Sequence, residues 1–170
     1  MALTLFTIGH SNHAIAAFIA LLQRHGIAQL ADVRSTPASR FAPQFNRSAL
    51  AAALGQRQIA YRWFGERLGG RSRDAAVHDA QRQVDHTKLA TSPEFRHGIN
   101  ELIDHAMAAP TAIMCAERDP QRCHRTHLVT PALISRGVEV RHILADGTLL
   151  PHAALQRNAM PQLDLFGAAF

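Results

Sequence analysis

Short β-prone apolar runs alternate with helical stretches from residue 4 to residue 144, and this alternation leaves few folds open to the chain. Residues 4–8 (Thr-Leu-Phe-Thr-Ile) form a strand pattern stopped by Gly9. Asn12 then stands ready to cap a helix with Ile15, Phe18, Ile19 and Leu22 on one face, ended by Gly26. A strand over 27–33, a helix over 48–58 and a strand over 59–64 follow. Ser92-Pro93-Glu94 is a capped helix start with Pro at its first position, leading into Phe95, Ile99, Leu102 and Ile103 at helical spacing. The last repeat is a strand over Thr111–Cys115, a helix over 125–136 bent by Pro131 and closed by Gly137, and a strand over 138–144. Strands joined through helices imply right-handed βαβ units. The expected fold is therefore α/β: a mostly parallel sheet with helices on both faces, a Rossmann-like three-layer sandwich. We read residues 1–150 as one domain and 151–170 as a tail, because periodicity fades after Pro151.

Composition narrows the function. The chain has 170 residues, the size of one domain, and 47% hydrophobic against 18% charged residues excludes a disordered chain. Apolar stretches such as 14–22 are too short to span a bilayer, and the N-terminus lacks a basic segment followed by a long apolar one, so a cytoplasmic protein without a membrane partner is expected. A net charge of +5 favours anionic partners, and Lys88 is the one basic residue that is not Arg. Phosphate or nucleic acid fits that charge; arginines scattered over a solvated surface are the competing explanation. Cys115 and Cys123, seven residues between them, read as thiols, since a domain of this kind needs no disulfide.

In a parallel sheet ligands bind beyond the carboxyl ends of the strands. The polar residues expected there are His10, Ser11 and Asn12 after the first strand, Asp32 and Arg34 at the second, and Glu117 after the fourth. Asp32 and Glu117 suit an acid/base pair, with Arg34 and Arg40 as counter-charges; an internal ion-pair network tying loops to the sheet is the alternative. The segment from Cys115 to Arg125 runs from a strand end into a helix start, where free N–H groups favour an anion and Arg122 and Arg125 add charge. A thiol so placed has a lowered pKa, which makes Cys123 a candidate nucleophile beside His124, although it equally suits a small buried hydrophobe. A phosphatase loop is disfavoured, because Gln121 stands where Cys-x5-Arg needs its Arg. Cys115, Cys123, His124 and His127 offer metal ligands, but without the short spacing of structural zinc, so no metal is assigned. Hydride transfer is disfavoured because no Gly-x-Gly-x-x-Gly follows the first strand, and no cofactor is named. The long loops 34–47 and 64–85 are expected to be functional or mobile.

Thr7-Ile-Gly-His-Ser-Asn12, Asp32-Val-Arg34, Pro37-Ala-Ser-Arg40, Pro43-Gln-Phe45, Leu68-Gly-Gly70, Cys115-Ala-Glu117 and Cys123-His-Arg125 together resemble the family called domain of unknown function 488, across residues 4–144. The resemblance implies a compact α/β domain with these polar motifs gathered near one site, and no particular reaction. Gln162-Leu163-Asp164-Leu165-Phe166 resembles the bacterial sliding-clamp-binding pentapeptide, in which apolar anchors dock in a pocket and the Gln hydrogen-bonds at its edge; a hydrophobic latch on the domain is the alternative. The function expected is that of a DNA-associated enzyme, acting by hydrolysis or group transfer on a phosphate-bearing nucleotide or strand and recruited to the DNA polymerase sliding clamp. The alternatives are a small-molecule enzyme acting on an anionic metabolite and a non-catalytic DNA-binding module.

Overall fold

The computed structural model describes residues 2–72 and 74–159. Six strands form one sheet: β1 (Thr4–Gly9), β2 (Gln29–Asp32), β3 (Ala60–Trp63), β4 (Thr111–Cys115), β5 (Glu139–Ile143) and β6 (Leu149–Pro151), in the order β3-β2-β4-β1-β5-β6. The first five are parallel and β6 pairs antiparallel with β5. The expected mostly parallel α/β sandwich is the fold observed.

The two-residue period of the strands separates the core into two layers. In β4, Ala112 and Met114 face a layer with Phe18, Ile19 and Leu22 of α1 (Ile15–Arg24) and Leu50 and Leu54 of α2 (Arg47–Gly55). Ile113 and Cys115 face the other layer, built on Leu68 of α3 (Gly65–Leu68), Leu89 of α4 (His86–Thr91), Phe95, Ile99 and Leu102 of α5 (Pro93–Ala108) and Leu133 of α6 (Thr130–Ile134). Cys115 thus belongs to the α5 side, and this fixes what it can meet. Among the described residues, no helix is long and apolar enough to cross a membrane.

Local chemistry accounts for most boundaries. Ser92 accepts a hydrogen bond from the Phe95 N–H and Pro93 occupies the first turn, starting α5 where the sequence places it. Asn12 does not cap α1; Ala14 occupies that position and no side chain bonds the free N–H groups. The helix expected over 125–136 opens instead as a π-helical turn over Arg125–Val129, with the Thr130 N–H bonded to the Arg125 carbonyl. Pro131 lacks an N–H and crowds the carbonyl four residues before it, so a wider turn precedes it. The largest departure lies after residue 148, where β6 and α7 (His152–Ala159) replace the first part of the expected tail and bury His152 and Leu155. The pentapeptide at 162–166 lies outside the described residues.

Candidate functional site

Connections leave β1 and β4 in opposite directions, so the crevice rule points to the gap between their ends. Backbone pairing draws the two ends together and leaves only a cleft between their loops. The His10 N–H bonds the Cys115 carbonyl and the Ser11 N–H bonds the Ala116 carbonyl, each at 2.9 Å. A Cβ on Gly9 would lie 2.0 Å from the Glu117 carbonyl oxygen, so only glycine permits this contact. A second opening lies one strand over, at the ends of β2 and β4, whose connections also leave in opposite directions. There a cavity of about 440 Å³ is lined by Arg34, Ser35, Gly70, Arg71, His86, Cys115 and His124.

Its floor is a sulfur and imidazole cluster. His124 shares its Nε2 proton with the Val33 carbonyl at 3.1 Å, which leaves the Nδ1 lone pair directed at Cys115 Sγ, 3.5 Å away. Cys123 contributes the second sulfur, and the three donor atoms lie within 4.8 Å of one another, the one such convergence of His, Cys, Asp or Glu donors among the described residues. The lowered pKa falls on Cys115 and not on Cys123, the candidate nucleophile of the sequence. The neighbouring Cys123 thiol, helped by the backbone N–H groups of Glu117 and Ala116 and by the Arg125 charge, outweighs burial and lowers the Cys115 pKa to about 7. The neighbouring Cys115, together with burial, pushes Cys123 up. Cys115 also lines the cavity, whereas Cys123 packs beneath it at 3% exposure.

Asp32 and Arg34 form a buried ion pair beside this floor. Asp32 Oδ1 accepts from Arg34 Nε and from its backbone N–H, while Oδ2 accepts from Arg34 Nη2 at 2.6 Å and from the Tyr61 hydroxyl at 2.7 Å. Burial opposes the Arg34 charge, but the hydrogen bonds and field of Asp32 outweigh it and raise its pKa. Burial first, then Asp32, raises the Tyr61 pKa. Arg34 Nη2 also donates to the Phe45 carbonyl, and Nη1 reaches His10 Nε2 at 3.1 Å. One of the five guanidinium N–H groups remains on Nη1. His10 stacks on Phe45 with ring centroids 4.3 Å apart, and burial with the facing Arg34 lowers its pKa to about 4. Asp32 is therefore saturated by internal donors and shapes the Arg34 loop, as the ion-pair alternative requires.

The other expected residues divide between two places. His10, Ser11, Asn12 and Glu117 line a separate shallow cleft of about 390 Å³. Arg40 is exposed and stacks over Phe41 at 4.7 Å, on neither wall. Arg125 is 1% exposed and donates to the Glu117 and Arg118 carbonyls and to Thr7 Oγ1, so its charge holds the loop after β4 from within. His127 bonds the Gln121 carbonyl, away from the sulfurs. Three residues at the site escaped sequence reasoning: Tyr61, Arg71 and His86. Arg71 follows the Leu68-Gly-Gly70 motif, which was a signal; Tyr61 and His86 carried none.

The fold and site define an α/β domain with a thiol and imidazole cluster at the carboxyl edge of a parallel sheet. The chain belongs to the family described as Domain of unknown function DUF488, which matches residues 14–130. That span holds every residue lining the cavity and is shorter at both ends than the resemblance read across 4–144. No curated protein and no solved structure matches the chain.

Proposed function

We propose that this domain is an enzyme that binds a phosphate-bearing nucleotide or nucleic acid strand in the cavity between β2 and β4 and carries out hydrolysis or group transfer over the Cys115, Cys123 and His124 cluster. The observation that carries the reading is the joining of a thiol to anion-binding donors in one concave site: Arg71, His86 and the one free N–H of Arg34 share the cavity with Cys115. Arg71 is exposed and enters no ion pair among the described residues, so its donors are free for an anion. A second cavity of about 460 Å³ shares Ser35 and Arg71 and adds Trp63 and Phe95 to its walls, room for a base beside a phosphate. The 162–166 segment, read from sequence, would deliver this activity to DNA through the sliding clamp.

The test is fluorescence anisotropy with a labelled single-stranded oligonucleotide, alongside calorimetry with mononucleotides. Binding that weakens steeply with salt, and a loss of roughly tenfold in Arg71→Ala, are expected from one charge-assisted contact. The cavity volume favours a second reading, a small anionic metabolite, which predicts mononucleotide binding with little strand affinity. Binding of neither probe below millimolar concentration would remove the proposal.

A further inference from the structure

The cluster on the cavity floor has the donors and spacing of a metal centre. We propose that Cys115, Cys123 and His124 bind a thiophilic divalent cation of the zinc class, with a fourth coordination position open to the cavity. The metal site stands on its own geometry; its use in hydrolysis rests on the function proposed above.

Three observations carry it. The first is donor spacing. In a tetrahedral zinc site with bonds of about 2.3 Å to sulfur and about 2.0 to 2.1 Å to nitrogen, neighbouring donors stand roughly 3.5 to 3.8 Å apart. Cys115 Sγ and His124 Nδ1 are 3.5 Å apart, and Cys123 Sγ lies within 4.8 Å of both, so closing on an ion needs only side-chain adjustment. The second is the support behind the imidazole. His124 gives its Nε2 proton to the Val33 carbonyl, the outer-shell arrangement that fixes the tautomer of a metal-bound histidine. A Cβ on Gly70 would lie 3.0 Å from His124 Cγ, so this glycine lets the chain close over the ring and hold its tilt. The third is access. Cys115 and His124 line the cavity and Cys123 closes the site from below, so protein fills one side and the cavity meets the other.

Two cysteines and one histidine with an open position form a catalytic rather than a structural donor set. A cation held there would supply a bound water of lowered pKa to a hydrolysis in the cavity. His127, the other imidazole of the segment, is turned to the Gln121 carbonyl and is not a ligand.

The experiment loads reduced, metal-free full-length protein with zinc chloride or cobalt chloride, measures bound metal by mass spectrometry and records the cobalt spectrum. The expected result is one ion per chain, a thiolate-to-cobalt charge-transfer band, visible bands of tetrahedral intensity, and protection of Cys115 from iodoacetamide by zinc. Cys115→Ser and His124→Ala should each weaken zinc binding by at least about 100-fold, beyond the effect of losing an outer-shell partner, while His127→Ala retains it. Alkylation protection in the wild type needs no variant, so a Cys115→Ser or His124→Ala protein that fails to fold leaves the test intact. Less than a tenth of an equivalent of either metal at micromolar excess, or full binding in Cys115→Ser, overturns the proposal. Stoichiometric metal without oligonucleotide or nucleotide binding would sustain the metal site and remove the proposed function; the reverse pattern would do the opposite.

Discussion

Replacing Asp32 by Asn should strike the most heavily loaded polar group in the fold. Asp32 is fully buried and meets an Arg34 side chain that is only 6% exposed. Removing one member of such a pair costs about 3 to 5 kcal/mol, chiefly because the remaining charge is buried without compensation. Asn keeps an acceptor oxygen for Arg34 and Tyr61, so we expect the lower end, about 3 kcal/mol. For a domain of this size, that is a drop in Tm of roughly 6 to 12 °C. Urea unfolding followed by circular dichroism measures it, and the Asp32→Asn/Arg34→Gln double variant completes a cycle. The double variant should recover part of the loss, because the orphaned guanidinium is gone. A single variant within about 1 kcal/mol of wild type, or a double variant equal to the sum of the singles, would show that cavity water solvates Arg34 and that the pair does not hold the loop.

The structure makes other predictions. His10 and His142 are buried neutral with pKa values lowered from 6.5 to about 4, mainly by burial, so the unfolded chain binds their protons first: stability is full above pH 6.5 and is lost as pH falls toward 4. Between pH 6.5 and 5 the loss should be roughly 1.5 kcal/mol per ring, and flat urea midpoints across that window would contradict the assignment. Gly9→Ala should destabilise by at least about 2 kcal/mol, because its Cβ would drive apart the loops after β1 and β4; an unchanged melting curve would mean those loops are loosely held. Iodoacetamide should modify Cys115 before Cys123 in metal-free native protein at neutral pH, read by peptide mass mapping, and the opposite order would refute the lowered Cys115 pKa. Calorimetry with the sliding clamp should give micromolar affinity that Leu165→Ala with Phe166→Ala removes while the domain melts as before; no binding by the wild type, with a much lower melting point in the variant, would make the segment a structural latch.

Features set by neighbouring residues were legible in the chain. The β4 strand over Thr111–Cys115, the Ser92 cap with Pro93, the inward faces of α1 and α2 and the alternation that yields a parallel sheet all depend on contacts a few residues apart, and all are present. The α7 helix was missed because only His152 and Leu155 anchor it, too few apolar positions to show a period. The site was legible as a sheet edge and as a set of residue types, but not as an arrangement. Asp32 is claimed by Tyr61 from β3, Arg125 turns inward to carbonyls of its own loop, and the Gly9 contact draws the loops after β1 and β4 together while the cavity beside Cys115 lies at the ends of β2 and β4. Cys115, Cys123 and His124 converge although their spacing matches no short ligand motif, because a strand end and a helix start meet only after the β4 loop folds back. Periodicity and capping act within one turn or one strand and can be read locally. Strand order and loop closure join groups 29 to 135 residues apart, as in Tyr61 to Asp32 and Thr7 to His142, and only the packed tertiary structure decides which of them meet.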